Sequence, residues 1–595
     1  MMHSLLRFAL TIVFAFACLS VISSQNVLSD VDQEQRYIYD RMFLESGGNV
    51  GNFHTAIFPY LRADLIIIAD SFELSGEMDP IDRHDIHSIR DQNNEFLVDE
   101  TTDGSPVKVY RDSTNTFYSL DEPSSEAGAR KSRHPLFKTF YKSPAHFYEV
   151  NVPDFYLRVN PLIRFSGGRE TEEGITTFIN QRGISLRGGV GKNLFFQTSI
   201  YDSQVRYVNF INQFTAENGV VPGVGFYKPY QSSFLKFSDG RDFLIANAYV
   251  GFNIGKYVGI QLGHNQHFIG DGIRSLFLSD FSTPFFSLKL NTRIWKFHYQ
   301  NIFAELAADD FNSVLGTNSA LPKKYMAAHY LSYKAGRHLT FGLFETVIFN
   351  RPNHQFELQY LNPVILYRTV EGSIGSPDNV MLGLNARWDI KKRISLYGQF
   401  ILDDILIKEI LNGRLGWWGN KFGHQLGVKY INAVGIDHLD LQAEWNQVRP
   451  YTYSHYDANA NYSHYNQALA HPLGANFNEW IASARYRVSP GLNVQSAIYI
   501  INKGEDGLDS VSYGGNIIAP NNLRPDDYGH TIGQGIEADI VYWSSSVQYE
   551  ISPGLFADFQ YIRRNKVSVL AEKSLTTNLF QIGVRLNMAR REDVF

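Results

Sequence analysis

From about Phe155 to its end the chain is written in a period of two. Leu439, Leu441, Ala443 and Trp445 alternate with Asp440, Gln442, Glu444 and Asn446. Leu382, Leu384, Ala386 and Trp388 bracket Gly383, Asn385 and Arg387, and Trp480, Ala482, Ala484, Tyr486 and Val488 bracket Ser483, Arg485 and Arg487. Successive side chains of a strand point to opposite faces, so each segment has one apolar and one polar face. A soluble sandwich would alternate in the same way, so the period alone does not separate the two.

The connections do. Strands are read near 155–166, 176–189, 193–202, 243–254, 257–265, 283–291, 294–304, 325–334, 338–349, 378–389, 394–403, 422–431, 438–447, 478–488, 492–502, 536–549, 554–563 and 575–588. Every second connection is a tight turn: Val190-Gly191-Lys192, Gly255-Lys256, Ala335-Gly336-Arg337, Lys391-Lys392-Arg393, Ser489-Pro490-Gly491 and Ser552-Pro553. Those between are long, including 203–242, 350–377, 448–477 and 503–535. Short turns on one rim and long loops on the other define a transmembrane barrel, and segments of about 9 to 14 residues suit tilted membrane strands. The wall must close, because lipid cannot satisfy an open sheet edge. The fold expected is therefore all-β: an 18-stranded antiparallel transmembrane β-barrel over 151–595, with Trp445, Trp480, Trp388 and Tyr430 at girdle positions.

Residues 1–24 carry Arg7, an apolar run from Phe8 to Ala17 and small residues at Ser20, Ser23 and Ser24, the layout of a cleaved signal peptide too short to span a membrane. Cleavage there removes Cys18, the chain's one cysteine. A lipoprotein would keep Cys18, but the aliphatic residue usual three positions upstream is missing. A mature chain without cysteine has no disulfide scaffold and no thiolate zinc site. With 54 Lys+Arg against 60 Asp+Glu it is not a basic nucleic-acid binder. Residues 25–150 lack sustained alternation; Asp32 to Leu44 suits a helix and Leu65 to Phe72 is a short apolar segment. This part is read as a periplasmic or lumen-plugging segment, since eighteen strands enclose an aqueous channel unless filled.

Few motifs carry chemistry. Gly270-Asp271-Gly272-Ile273-Arg274-Ser275 lacks the ending and the strand-loop-helix setting of a phosphate loop. Asp309-Asp310, Asp403-Asp404 and Asp526-Asp527 lack the calcium-loop spacing with its distal Glu. No HExxH occurs, and no spacing selects a catalytic triad. The expectation is no enzyme, no catalytic residue, no cofactor and no metal. The loop after the thirteenth strand is unusual: Arg449, Tyr451, Tyr453, His455 and Tyr456, then Tyr462, His464 and Tyr465, then His471-Pro472-Leu473-Gly474. Flat rings stack on sugar faces and His or Arg bond hydroxyls, yet Tyr packs one loop on another equally well. The same two readings apply to Trp417-Trp418 in the 404–421 loop.

His267-Phe268-Ile269-Gly270-Asp271-Gly272-Ile273-Arg274-Ser275-Leu276-Phe277-Leu278-Ser279 with Pro284, Tyr360-Leu361-Asn362-Pro363, Asp378-Asn379, Tyr397-Gly398-Gln399-Phe400 with Asp403-Asp404, and the Tyr/His loop at 449–474 resemble the Wzi-type capsule-assembly barrels. They also resemble the related RemB-like gliding-motility proteins of Bacteroidetes. Phe268-Ile269-Gly270-Asp271-Gly272 stands where that family has a Trp-Gly-Pro-Gly core. The resemblance implies an eighteen-strand barrel plugged by helices and loops that holds or organises surface polysaccharide, and in the motility branch takes part in surface movement. Gln581-x-Gly583-x-x-Leu586-x-Met588 resembles the C-terminal signal read by the barrel assembly machinery. The combined expectation is an outer-membrane protein whose partners are outer-membrane lipid, surface polysaccharide, that machinery and other outer-membrane proteins, with no nucleic acid. The expected glycan contacts are Arg449, Tyr451, Tyr453, His455, Tyr456, Tyr462, His464, Trp417, Trp418, Asp271 and Arg274. A solute porin and a subunit of a larger secretion or adhesin complex are the alternatives.

Overall fold

The computed structural model describes residues 26–595, leaving out 49, 98, 103–104, 112–116, 120–134, 136–139, 142, 153, 192, 234–235, 309–320, 352–354, 365, 376–377 and 508–510. The expected signal peptide, Lys192 and Asp309-Asp310 lie outside the described residues.

Among the described residues eighteen long antiparallel strands close on themselves. They are β1 (Phe155–Glu170), β2 (Thr176–Val190), β3 (Leu194–Arg206), β4 (Phe237–Ile254), β5 (Val258–Asn265), β6 (Phe285–Ile294), β7 (Phe297–Ala307), β8 (Lys323–Lys334) and β9 (Leu339–Phe349). The second half is β10 (Asn379–Ile390), β11 (Ile394–Asp404), β12 (Lys421–Tyr430), β13 (Leu439–Val448), β14 (Phe477–Ser489), β15 (Leu492–Glu505), β16 (Ile536–Ser552), β17 (Leu555–Ser568) and β18 (Leu575–Leu586). Each pairs with the next, and β18 returns to β1 with Leu579 opposite Glu170 and Leu586 opposite Ile163. No helix among the described residues is long and apolar enough to cross a membrane; the strands do the crossing.

The period of two sorts the wall into faces as its sequence requires. On β10, Leu384 and Trp388 are outward and exposed, whereas Asn385 and Arg387 face the lumen and are buried. Trp445 and Trp480 stack outside the long-loop end, with ring centroids 5.3 Å apart and planes 11° apart.

At two of the boundaries that differ from the expectation the backbone takes a positive φ. The β6–β7 turn falls at Trp295 (φ 54°) and Lys296, three residues later than the alternation suggested. The last strand ends at Leu586, not Met588. Asn587 takes φ 53°, a conformation Asn tolerates better than most residues, and turns the chain inward. Residues 588–595 run back into the lumen, where Phe595 packs against Phe210, Phe214 and Phe281.

The lumen is filled from the short-turn end by α1 (Gln33–Glu45), α2 (Arg62–Glu73) and α3 (Pro80–Gln92). Asp32 caps α1 by accepting from Glu34 N and Gln35 N, and Asp79 caps α3 with Pro80 in its first turn. Leu65, Ile68, Phe72, Ile86 and Ile89 form the helices' shared core. Their polar faces meet the lumenal faces of distant strands: Arg41 with Asp440 at 3.1 Å, Asp64 with Arg293 at 2.7 Å, and Asp85 with Arg487. From the other end, the β5–β6 loop (266–284) and the β13–β14 loop (449–476) fold inward around Leu276, Phe277, Leu278, Tyr453, Tyr462 and Leu469.

One long connection does not project from the rim. The β9–β10 loop lies down the outer wall, where Tyr299 and Asn301 donate to the Pro363 carbonyl at 2.6 and 3.2 Å. Its helix α4 (Tyr367–Ile374) sets the Tyr367 ring 3.9 Å from that of His329, covering a polar patch the period of two would have left facing lipid.

Candidate functional site

The β5–β6 loop is the lumen's central tie. Its Phe268–Ile269 pairs with Ile57–Phe58 of the N-terminal segment, and Arg36 of α1 donates to the Gly270 carbonyl. Gly270 sits at φ 151°, and a Cβ there would lie 2.7 Å from Gln399 Nε2, so the loop requires glycine at that point. Asp271 accepts from Thr55 Oγ1 at 2.6 Å and Asn385 Nδ2 at 3.2 Å and faces Arg387 at 3.3 Å. Arg274 donates to Glu479 at 2.9 Å and to the Val594 carbonyl at 3.0 Å. Glu479 also meets His471 Nε2 at 2.8 Å. Both Asp271 and Arg274 are buried inside the barrel, where Asp271 is bonded to the N-terminal segment and Arg274 to the wall and the C-terminal tail.

The Tyr/His loop divides. Tyr451, Tyr453 and Tyr462 are each 1% exposed, and His464 is buried with them. Tyr453 donates through its hydroxyl to the Leu276 carbonyl at 2.8 Å, and its ring stacks on Tyr462. His464 Nδ1 accepts from Ala307 N at 2.9 Å, and burial holds its imidazole down at about 3, neutral at physiological pH. These four lock loop on loop; of the two readings open at the sequence, packing holds for them. Burial likewise holds His455 down at about 4. Arg449 is tied down by donating to the carbonyls of Asn420 at 2.7 Å and Leu415 at 2.8 Å. Tyr456 alone of the loop's expected contacts is open, at 49% exposure, with its ring 4.2 Å from His455.

Above this packed floor lies an accessible aromatic surface shared by the β11–β12 and β15–β16 loops. Trp417 and Trp418 are half-buried, with centroids 5.8 Å apart. Arg524 lies over the Trp418 ring at 4.0 Å, and Arg414 over Tyr528 at 5.4 Å. Trp418 N donates to the Asp527 carbonyl at 3.0 Å, joining the two loops. Asp527 carboxylate accepts from Arg524 at 2.8 Å, and Asp403 is held by Lys421 at 2.7 Å. The described residues offer one group at metal-ligand spacing, Asp79, Asp82 and His438, and Arg41 and Arg487 already neutralise it. Arg414, Arg524 and Tyr528 escaped the sequence reading because no motif joins residues more than a hundred positions apart.

Such a barrel, filled from both ends and carrying aromatic rings and arginines on its long-loop rim, is an outer-membrane β-barrel. The chain belongs to the capsule assembly protein Wzi family, whose pattern it matches over residues 164–566. No curated protein matches it in sequence. Among solved structures it is similar to Wzi of Escherichia coli, an outer-membrane protein involved in group 1 capsule assembly and a carbohydrate-binding β-barrel. The two share 12% identity with a TM-score of 0.54, over 95% of this chain and 100% of that one. OprD of Pseudomonas aeruginosa follows at 12% identity and TM-score 0.40, over 72% of this chain and 94% of that one. OccAB2 of Acinetobacter baumannii has 10% identity and TM-score 0.40, over 72% and 97%.

Proposed function

We propose that this protein holds surface polysaccharide against the outer membrane by docking it on the rim formed by Trp417, Trp418, Tyr528 and Tyr456, with Arg414 and Arg524 as hydrogen-bond donors. The accessible Trp418–Arg524 and Tyr528–Arg414 pairs over a filled lumen carry this reading. Indole and phenol rings offer apolar faces to sugar rings, while guanidinium groups already stacked on them lose little freedom on bonding a hydroxyl or carboxylate. The capsule-assembly family and the carbohydrate-binding neighbour support the substrate class. The filled lumen favours a docking platform over a solute pore.

The test replaces Trp417, Trp418 and Tyr528 together by Ala in the full-length protein, followed by measurement of capsular polysaccharide retained on cells and bound by the purified barrel. Each ring should contribute about 0.5–1.5 kcal/mol, so binding should fall by at least about tenfold. Unchanged retention and binding in a correctly folded triple variant would sink the proposal. A clean deletion scored for capsule retention and for surface gliding separates the two branches of the family.

A further inference from the structure

The wall of the barrel has a break in its strand ladder. One edge of β4 pairs with β3 from Arg241 to Phe252. The other edge pairs with Lys228–Ser232 as far as Asp242, and with β5 only from Ala248 onward. Between Phe243 and Asn247 no strand lies on that side among the described residues. The cause is the brevity of β5: at Asn265 the chain leaves the wall and becomes the loop that ties the plug. A sheet edge left open to hydrocarbon is not stable, and irregular backbone at membrane depth is tolerated where it lines a cavity. A cavity of about 400 Å³ lies there.

Its lips face outward and are apolar on one side, with the exposed Lys323–Glu305 ion pair at 2.7 Å on the other. Leu244 is 59% exposed, and Phe226 and Phe286 are exposed beside it. Its inner lining includes Val224 and Ile245, which also line a lumenal cavity of about 440 Å³. Polar and apolar groups line that second cavity in about equal measure. Within it Arg164 of β1 stands directly opposite Arg585 of β18. Arg585 is satisfied by Asp558 at 3.0 Å and Glu34 at 3.1 Å. Arg164 makes no hydrogen bond or ion pair among the described residues, and the carboxylate whose charge reaches it, Asp558, is the one that pairs with Arg585. Like charges directly opposite one another on adjacent strands repel, and a guanidinium in a partly buried site is stabilised by an anion that accepts in its fork geometry. Strands β4 and β1 are three spacings apart, about 14 Å, a gap that a ligand with a head and a tail spans. Both volumes fall in the range of small-ligand pockets.

We propose that this window is a lateral binding site for an anionic amphiphile: its alkyl chain lies between Leu244 and Phe286 in the outer leaflet, and its phosphate or carboxylate head reaches Arg164 through the neck at Ile245 and Val224. The site is separate from the rim and does not depend on the docking reading.

Native mass spectrometry of the full-length protein, released from a neutral detergent, tests it with decyl phosphate and with inorganic phosphate as probes. The unaltered protein should retain one decyl phosphate. Arg164→Gln should weaken retention by about tenfold or more, the range for losing a charged hydrogen bond. Ile245→Trp, which fills the neck, should abolish decyl phosphate binding and leave inorganic phosphate unaffected. Heat-modifiable gel mobility establishes that each variant is a folded barrel. Absence of saturable decyl phosphate binding, or equal binding by all three folded proteins, overturns the proposal. Inorganic phosphate binding as tightly as decyl phosphate also overturns it, because the alkyl chain would then contribute nothing.

Discussion

Arg387→Met should unseat the plug. Arg387 is 1% exposed and touches Asp40 of α1, Asp271 of the β5–β6 loop (3.3 Å) and Asp389 of its own strand (2.9 Å) together. Methionine keeps most of the stem against Phe43 but leaves three carboxylates facing a low-dielectric interior. Removing one partner of a buried pair costs roughly 3–5 kcal/mol, and Lys429, which also bonds Asp40, places this case at about 3 kcal/mol. At 1.4 kcal/mol per decade that raises the displaced population about 100-fold. Protease accessibility of α1 and conductance in planar bilayers both read it: the unaltered protein should be silent and the variant should open intermittently. The pH dependence is the sharper signature. Burial alone would raise the Asp40 carboxyl, but Arg387 and Lys429 hold it below the ordinary carboxylate value. A depressed folded-state pKa gives stability that is present above the unfolded value, near 4, and lost as pH falls through the folded one. With Arg387 gone, burial dominates and the sign inverts, so the variant should regain stability as pH falls from 7 to 5 while the unaltered protein does not. Asp40→Asn in the Arg387→Met background should recover part of the loss, because the two residues share one interaction. A loss below about 1 kcal/mol, or the same loss at pH 5 and pH 7, would refute the claim that this hub seats the helix.

Tyr453→Phe deletes the hydroxyl that bridges the two inward loops and leaves the Leu276 carbonyl short of a donor. It should cost about 1–3 kcal/mol, read as a lower Tm of the purified barrel. Glu479→Gln strands Arg274 and weakens the tie to His471. Hydrogen exchange should then quicken in the 449–476 loop and the C-terminal tail together, and quickening confined to the loop would contradict the link through Val594. His84 of α3 is raised above the ordinary imidazole value by its hydrogen bond to Asp85, against burial, with Glu550 adding to the rise. A raised folded-state pKa gives stability that is full below the unfolded value near 6.5 and lost as pH climbs through the folded one. Proteolysis of α3 should therefore accelerate between pH 6.5 and 8.5, and His84→Gln should flatten that profile.

The wall was legible because each strand states its own answer. Alternation is local, and the turn residues between strands fix the parity of rims, so eighteen segments and the short-turn end could be read without any long-range information. Even the misplaced boundaries at Trp295 and Asn587 are local, each set by one residue that accepts positive φ. The interior was opaque for the opposite reason. Asp40 and Asp271 meet Arg387, and Lys429 meets Asp40, from separate places in the chain, and nothing within any one segment marks them as partners. The same holds at the mouth. Tyr451, Tyr453 and Tyr462 were visible as an aromatic cluster, and whether such a cluster faces a sugar or a neighbouring loop depends on Leu276 and Gly514, which lie on other connections. A barrel wall thus carries its fold in periodicity, while its function rests on how the loops pack. In this chain the loops, and not the strands, decide which aromatic rings remain exposed at the long-loop rim. Trp418 shows this: Asp527 ties its backbone to the β15–β16 loop and Arg524 lies over its ring, so a neighbouring connection sets how much of the indole is exposed.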